Sequence, residues 1–261
     1  MNQSLDIAKT GLTAMQDEMN IISNNLANVN TTAFKSGRAS FEDLFYQTEQ
    51  TAGGMVNQQN VKPVSIQFGT GVKMTGTEKI FTTGDIKTTG QPLDLAISGP
   101  GFFQVQKADG TIEYTRDGQF QKSPDGTLVT SDGLPLNPNI TIPQDATSVT
   151  IGTDGTVSIT EAGNSNSQTL GQISLVRFIN PTGLKALGGS LYQQTSASGP
   201  ANEYTPGQSG TGQLKQGALE GSNVSVVQEM VAMISTQRAY DMDSKMVTAT
   251  DQMLQKISQV S

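Results

Sequence analysis

Apolar residues near the N-terminus recur with helical spacing. From Leu5 to Val29 they are separated by alternating steps of three and four residues, in a segment with no proline and one glycine. This pattern predicts a helix over residues 4–29 with a narrow apolar seam, which is typical of a helix that pairs with one or two other helices. The seam consists of Leu5, Ala8, Leu12, Met15, Met19, Ile22, Leu26 and Val29.

The C-terminal segment predicts a second long helix. Ser222 or Asn223 can cap it, and its apolar positions continue to about residue 260. The steps of three and four recur at Ala239, Met242, Met246, Ala249 and Met253. Methionine side chains adapt to imperfect packing, and the apolar set is broader than one partner helix needs. We therefore expect the two terminal helices to pair as a coiled coil, with the surplus apolar surface buried between subunits.

Asparagines crowd the end of the first predicted helix, at positions 24, 25, 28 and 30. Asparagine favours helix ends because it tolerates capping and left-handed conformations. The same amides could instead form hydrogen bonds to neighbouring chains. Both interpretations are open at this point.

Short alternating segments fill the middle of the chain, from about residue 66 to residue 190. Asp-Gly pairs at Asp109, Asp117, Asp125, Asp132 and Asp154 supply the geometry of tight hairpin turns. A calcium-binding repeat would need further ligands at fixed offsets, and the intervening residues do not supply them. The prediction is an α+β protein in which a central antiparallel β-rich domain of short hairpins lies between the two terminal helices.

Polar segments flank this β-rich region. Residues 34–48 carry an aromatic cluster that predicts a short helix or an extended arm, and residues 49–65 predict a loop or extended polar segment. Residues 196–213 predict an extended connector with few hydrogen bonds. The expected domains are residues 1–33 with 222–261 (helical), 34–75 with 191–221 (connectors) and 76–190 (outer β domain).

Composition narrows the possible functions of the 261-residue chain. It has no histidine, cysteine or tryptophan, so the commonest general base and the commonest metal ligands are missing. A net charge of −7 argues against nucleic acid or an anionic membrane as a partner. The first residues lack the basic region and apolar run of a signal peptide, and no 18-residue apolar stretch predicts a membrane span.

Both ends of the chain resemble one known family. The run Ser23-Asn24-Asn25-Leu26-Ala27-Asn28-Val29-Asn30-Thr31-Thr32-Ala33-Phe34-Lys35 resembles the N-terminal signature of the bacterial flagellar rod and hook family. The set Ser222-Asn223-Val224, Glu229-Met230, Met233-Ile234, Gln237-Arg238-Ala239-Tyr240 and Ser244-Lys245 is similar to its C-terminal signature. Gly99-Pro100-Gly101-Phe102-Phe103 and Tyr114-Thr115-Arg116-Asp117-Gly118 resemble its β domain. Asp243 departs from the asparagine that the family often has, which puts one contact between subunits in question.

The resemblance is greatest to the distal rod branch of this family, on length and on the segments from Phe41 to Thr48 and from Gly69 to Val72. It implies a structural subunit of a hollow helical shaft that transmits motor torque to the hook. The implied partners are other copies of the chain, the proximal rod proteins, the hook or hook-junction end, the P- and L-ring proteins and the flagellar type III export apparatus. The implied location is the flagellar basal body, spanning the periplasm after export without a cleaved signal.

The seams and the resemblance together predict a subunit interface and no catalytic, cofactor or metal residues. The predicted interface residues are Leu5, Leu12, Met15, Met19, Ile22, Asn24, Asn25, Leu26, Asn28, Val29, Phe34, Met230, Ile234, Arg238, Tyr240, Met242, Met246, Met253 and Ile257.

Three alternatives stay open: another rod or hook subunit such as a proximal rod protein, a peptidoglycan-acting enzyme, or a non-flagellar coiled-coil adhesin. The enzyme would need a pair of carboxylates in an apolar cleft. The available residues Glu42, Asp43, Glu78 and Asp94 show no such arrangement in the sequence.

Overall fold

The computed structural model describes residues 3–50, 55–57, 60–61, 64–161 and 167–260. It divides into two compact units. The helical unit comprises residues 1–26, 37–78 and 226–261, and the β unit comprises residues 27–36 and 79–225.

Two long helices dominate the helical unit. Helix α1 is Gln3–Ala27 and helix α2 is Val226–Val260. The first is close to its predicted bounds, but the second begins later than predicted. The side chain of Asn223 is occupied elsewhere, because its Nδ2 donates to the carbonyl of Ile80 at 2.7 Å and its Oδ1 accepts from the Ser36 amide at 2.7 Å. These bonds lie within the β unit and leave α2 to begin at Val226.

Six strands form a two-stranded antiparallel ribbon in the chain between the helices. The pairs are β1 with β6, β2 with β5 and β3 with β4, nested in that order. Residues 37–43 and 46–48 are therefore strand, and the alternative of a short helix was wrong. Much of the predicted polar segment 49–65 lies outside the described residues. The bounds are β1 Gly37–Asp43, β2 Tyr46–Gln50, β3 Met55–Asn57, β4 Asn60–Val61, β5 Ile66–Gly69 and β6 Val72–Lys79.

The β unit contains short antiparallel strands. A five-stranded sheet has the order β13-β9-β10-β19-β18, and a three-stranded sheet has the order β14-β15-β16. The remaining strands pair as β7 with β22, β8 with β21, β11 with β12 and β17 with β20. Their bounds are β7 Ile86–Thr88, β8 Leu95–Ser98, β9 Phe103–Gln106, β10 Ile112–Thr115, β11 Phe120–Lys122, β12 Leu128–Thr130, β13 Leu136–Asn137, β14 Ala146–Ile151, β15 Thr156–Glu161, β16 Ser167–Gln172, β17 Leu175–Arg177, β18 Lys185–Gly188, β19 Leu191–Gln193, β20 Asn202–Tyr204, β21 Gln213–Gln216 and β22 Ala218–Glu220.

The β unit has a closed apolar core. Alternation along the strands turns Leu95 and Ile97 of β8 and Phe103 and Val105 of β9 fully inward. Phe103 packs edge-to-face on Phe120 with ring centroids 5.2 Å apart. A second cluster of buried aromatic residues lies on the other face of β9 and β10, at Phe102, Tyr114, Phe178 and Tyr192. This packing confirms the predicted α+β class with an antiparallel β-rich middle.

Four of the five Asp-Gly pairs form turns. Gly110, Gly126, Gly133 and Gly155 have φ between 80° and 84°, a region that favours glycine. The fifth pair differs, because a Cβ at Gly118 would lie 1.7 Å from the carbonyl oxygen of Leu95. Glycine is needed there for close backbone approach and not for a turn.

The segment at residues 196–213 is rich in hydrogen bonds, contrary to its prediction as a hydrogen-bond-poor connector. Strand β20 pairs with β17, and beyond it the Gly207 amide donates to Gly212 and the Gly212 amide donates to Pro100. The Thr211 hydroxyl donates to the carbonyl of Gln208 at 2.6 Å. Proline and glycine here form tight turns whose own backbone groups pair, so the segment is compact.

Candidate assembly surface

Helices α1 and α2 pack against each other in antiparallel orientation. At one end, Asn25 Nδ2 donates to Glu229 Oε1 at 3.2 Å. At the other end the Asp243 carboxylate lies on Gly11, where a Cβ would be 2.8 Å from Oδ2. The two contacts are fourteen residues apart on each helix, in opposite directions along the chain. The predicted pairing of the terminal helices is confirmed.

Over the described side chains, the face of α2 turned toward α1 is made mostly of small and polar residues. Thr236 is only 5% exposed, and its neighbours on this inner face are half-buried. We call this set the α2 inner face: Glu229, Ala232, Thr236, Ala239, Asp243, Val247 and Thr250. Asp243 therefore has a role within the subunit, where its carboxylate fits against the one glycine of α1.

Most of the described large apolar side chains of α2 point away from α1. Met246 is 63% exposed and Val227 is 72% exposed. We call this set the α2 outer face: Val227, Met230, Val231, Ile234, Met242, Met246 and Met253. The regular steps from Ala239 to Met253 therefore do not form one contact line, because Ala239 faces α1 whereas the three methionines face outward.

The predicted seam of α1 is partly covered. Ile22 is 5% exposed, whereas Leu5, Leu12, Met15, Met19 and Leu26 are half-buried. The most buried line of α1 runs instead through Ala14, Ile22 and Asn25. The seam thus lies on the flank of the contact with α2, and it retains apolar surface.

Asn25 has a role within the helical unit. Its side chain forms a reciprocal pair with the backbone of Gly37, donating to the carbonyl at 2.9 Å and accepting from the amide at 2.8 Å. The residue is 2% exposed. Its amide therefore joins α1 to the start of β1 and to Glu229, a role that needs no second chain.

The other predicted interface residues are spread over both units. Asn24 is exposed at the end of α1. In the β unit Asn28 accepts from the Thr31 hydroxyl at 3.0 Å, Val29 is half-buried, and the Phe34 ring lies 4.5 Å from Lys79 Nζ. Arg238 and Tyr240 are exposed on α2. The side chain of Ile257 lies outside the described residues.

An open groove of about 490 Å³ runs between α1 and β6. Its α1 wall carries Asp6, Lys9, Thr10, Thr13, Ala14 and Asp17, and its β6 wall carries Val72, Lys73 and Met74. The Lys73 ammonium forms an exposed ion pair with Glu42 at 2.7 Å. The groove is therefore a polar cleft in which Val72 and Met74 provide apolar surface.

A buried ion cluster joins three distant parts of the β unit. Glu220 accepts from Lys35 Nζ at 2.6 Å and from Arg116 Nε at 2.8 Å, and all three side chains are at most 1% exposed. The Gly84 amide also donates to Glu220 Oε1 at 2.9 Å. Each partner thus has a hydrogen bond, which a buried charge requires.

The cluster also fixes the backbone around it. Arg116 donates to the carbonyls of Gly101 and Gly99 at 2.8 and 2.9 Å, and Lys35 Nζ donates to that of Thr82 at 2.7 Å. Burial lowers the pKa of Lys35 to about 8, with the Arg116 charge acting in the same direction and Glu220 opposing it. Burial raises the pKa of the nearby Tyr192 to about 12.

Sequence reasoning missed this cluster as a unit. Lys35 and Arg116 lie in the motifs that carry the family resemblance, and Glu220 lies two residues before the C-terminal motif. Charged residues beside apolar strands were a signal that could have been followed. Their pairing could not be read from spacing, because the three are separated by 81 and 104 positions in the chain.

No group of three or more acidic, cysteine or histidine residues in the described part of the chain could hold a metal ion. Neither described helix combines the length and apolarity needed to cross a bilayer.

Three family models match the chain. One described as the flagellar hook protein FlgE/F/G D1 domain matches residues 96–159. One described as the flagellar basal body rod FlgEFG protein C-terminal matches residues 215–260, and one described as flagella basal body rod protein matches residues 5–35.

Curated relatives match over nearly the full length of the chain. A flagellar basal-body rod protein FlgG of Buchnera aphidicola subsp. Schizaphis graminum is 52% identical over 260 residues, covering 100% of both chains. The FlgG proteins of Borreliella burgdorferi and Bacillus subtilis are 44% and 42% identical, over 97% and 98% of each chain. On the paired terminal helices, the β-rich middle and these full-length identities, the chain belongs to the FlgG family of flagellar basal-body rod proteins.

Proposed function

We propose that the chain is a structural subunit that polymerises helically, through α1 and the α2 outer face, into a rigid distal rod that carries motor torque to the hook. The observation that carries the interface is the exposure of the α2 outer face. Seven large apolar side chains lie on one side of a helix whose other side is already packed on α1. Several large apolar side chains exposed on one side of a helix mark an interaction site in soluble proteins.

Repeated copies of the chain suit this surface best. A helical polymer needs an interface between two different patches of the same subunit, so that each copy presents one patch and receives the other. The open groove between α1 and β6, described above, and the α2 outer face are two such patches.

Substitution on the α2 outer face tests the proposal. Met246→Glu places a carboxylate where an apolar contact is expected, so rods isolated from cells that carry only this variant should be absent or short. Ile112→Glu is the matched control, since Ile112 is 41% exposed in the β unit, and it should leave rod length unchanged. Rods of normal length with Met246→Glu would show that the α2 outer face is not part of the interface.

The same surface predicts that the terminal helices become ordered on assembly. The α2 side of the α1–α2 contact is mostly small and polar, and a lone helix gains most of its stability from apolar packing. In the isolated chain at low concentration we expect amides of α1 and α2 to exchange hydrogen rapidly, whereas those of β8, β9 and β15 are protected. Strong protection of both helices in the monomer would contradict this.

Family membership supports a further part of the proposal, which concerns the partners and the location of the chain. It includes contacts with the proximal rod, the hook-junction end and the P- and L-ring proteins, and passage through the type III export apparatus into the periplasm. The absence of histidine and cysteine from the sequence supports a structural role over an enzymatic one.

A second structural role is favoured for the ribbon. Two-stranded ribbons are marginal alone, and β2 and β5 are exposed on both faces, with Phe45 90% exposed. We propose that the segment at residues 49–65 bridges neighbouring subunits and stiffens the shaft. Deleting it should give rods that bend in electron micrographs, and straight rods with normal torque transmission would contradict this role.

A further inference from the structure

Helix α2 carries a basic stripe on its outward side. Arg238, Lys245 and Lys256 are seven and eleven residues apart, which returns to nearly the same side of a helix at about 100° per residue. All three side chains are exposed. Within the described residues, none of them has an ion-pair partner.

The groove beside α1 offers carboxylates at the same spacing. Asp6 and Asp17 are eleven residues apart, as are Lys245 and Lys256, which corresponds to about 16 Å along each helix. Both aspartates line the groove, and neither has an ion-pair partner among the described residues. Lys9 lies on the same α1 wall, between the two carboxylates in sequence.

Symmetry decides which aspartate meets which lysine. Copies in a helical polymer share one polarity, and α1 is antiparallel to α2 within each copy. Where these helices run along the polymer axis, α2 of a neighbour is therefore antiparallel to α1. Lys256 then lies opposite Asp6, and Lys245 lies opposite Asp17.

The same pairs cannot form within one chain. The contacts of Asn25 with Glu229 and of Gly11 with Asp243 fix the register inside the subunit. In that register Lys256 is eight residues, or about 12 Å, beyond the position opposite Asp6. Ionic contacts at this spacing therefore require a second copy.

The walls of the groove suit lysine side chains. Val72 and Met74 provide apolar surface for the lysine stems, whose ammonium groups can then reach the carboxylates. Between the two expected ion pairs lie Thr10 and Thr13 on α1, and Met246, Ala249 and Met253 on α2. These residues add small and apolar contacts to the ion pairs.

We propose that the basic stripe of α2 docks in the α1–β6 groove of a neighbouring copy, with Lys256 on Asp6 and Lys245 on Asp17. This rests on the proposed polymerisation and assigns it a register. Charged pairs contribute specificity of alignment more than affinity, which suits a contact that sets how copies are staggered.

Disulfide cross-linking tests the register directly, because the chain has no cysteine of its own. Rods isolated from cells that carry Asp6→Cys with Lys256→Cys, or Asp17→Cys with Lys245→Cys, should give a ladder of cross-linked multimers after oxidation. The control pair Asp6→Cys with Lys245→Cys is about 16 Å out of register and should stay monomeric. A ladder from the control pair only, or from neither matched pair, would overturn the register.

Exchanging the charges of the proposed ion pairs tests their effect on rod assembly in cells. Asp6→Lys with Asp17→Lys, and separately Lys245→Glu with Lys256→Glu, should each lower the number of rods per cell about tenfold. The four changes combined should restore it to within about twofold of wild type, because the attraction is re-formed with its signs reversed.

Combined variants that assemble no better than either pair would contradict the proposal. If the combined variants fail while wild-type chains form rods, the register is wrong and the proposed function is unaffected. Wild-type chains that form no rods would remove both.

Discussion

The β unit and the helical unit distribute their apolar residues in opposite ways. The β unit buries Phe103, Leu128, Ile159 and Leu175 almost completely and satisfies its buried charges internally. In the helical unit, α2 contacts α1 mostly through small and polar residues, and methionines, valines and Phe45 are left exposed. The first is the arrangement of a domain that is complete alone, and the second is that of a surface which is completed by other copies.

Glu220→Ala should give the largest loss of stability, because it leaves Lys35 and Arg116 buried without their shared carboxylate. We expect a loss of about 5 kcal/mol in the free energy of unfolding of the β unit. Urea denaturation followed by circular dichroism measures it. Lys35→Met is the matched control and should cost much less, since Arg116 and the Gly84 amide still bond to Glu220. An unchanged urea midpoint for Glu220→Ala would mean that the cluster does not stabilise the fold.

Phe103→Ala and Met246→Ala sharpen the contrast between the units. The first removes a fully buried ring and should cost about 3–5 kcal/mol in the monomer. The second truncates a side chain that is 63% exposed and should change monomer stability by less than about 0.5 kcal/mol. The effects on assembly should have the opposite order. Met246→Ala should shorten the rods, and Phe103→Ala chains that fold should affect rod length less. Equal destabilisation of the monomer by both variants would show that the α2 outer face is already covered.

The pH dependence of the buried cluster gives a smaller effect than the loss of Glu220 or of the Phe103 ring. The pKa of Lys35 is about 8 in the folded chain and lies near 10.5 when the lysine is free in water, so the unfolded chain binds more protons between these values. Stability should therefore rise with pH from about 8 to 10, by at most about 3 kcal/mol. Lys35→Met should flatten this rise relative to wild type in urea titrations at each pH.

Tyr192 opposes this trend at higher pH. Its pKa is raised to about 12, so it contributes stability below pH 10 that is lost as the pH rises toward 12. Tyr192→Phe should remove that alkaline loss while keeping the rise due to Lys35. A wild-type stability that falls steadily from pH 8 would contradict the assigned direction for Lys35.

Spacing in the sequence was enough to predict what is local. The steps of three and four located both helices, and Asp-Gly pairs located four turns, because helix formation and turn geometry depend on residues close together in the chain. The secondary structure of the aromatic cluster at residues 34–48 was ambiguous. A ribbon that is exposed on both faces does not produce the alternation of apolar and polar residues that identifies a strand.

The sequence by itself determined two terminal helices, a β-rich middle, the family and the absence of histidine and cysteine chemistry. Only the tertiary structure decided which side of α2 meets α1. The methionines repeat at helical spacing and would serve equally well on either side. The carboxylate of Asp243 on Gly11 and the amide of Asn25 at Glu229 turn the small, polar side inward. That choice leaves the apolar side for other copies, and it depends on contacts between residues more than two hundred positions apart.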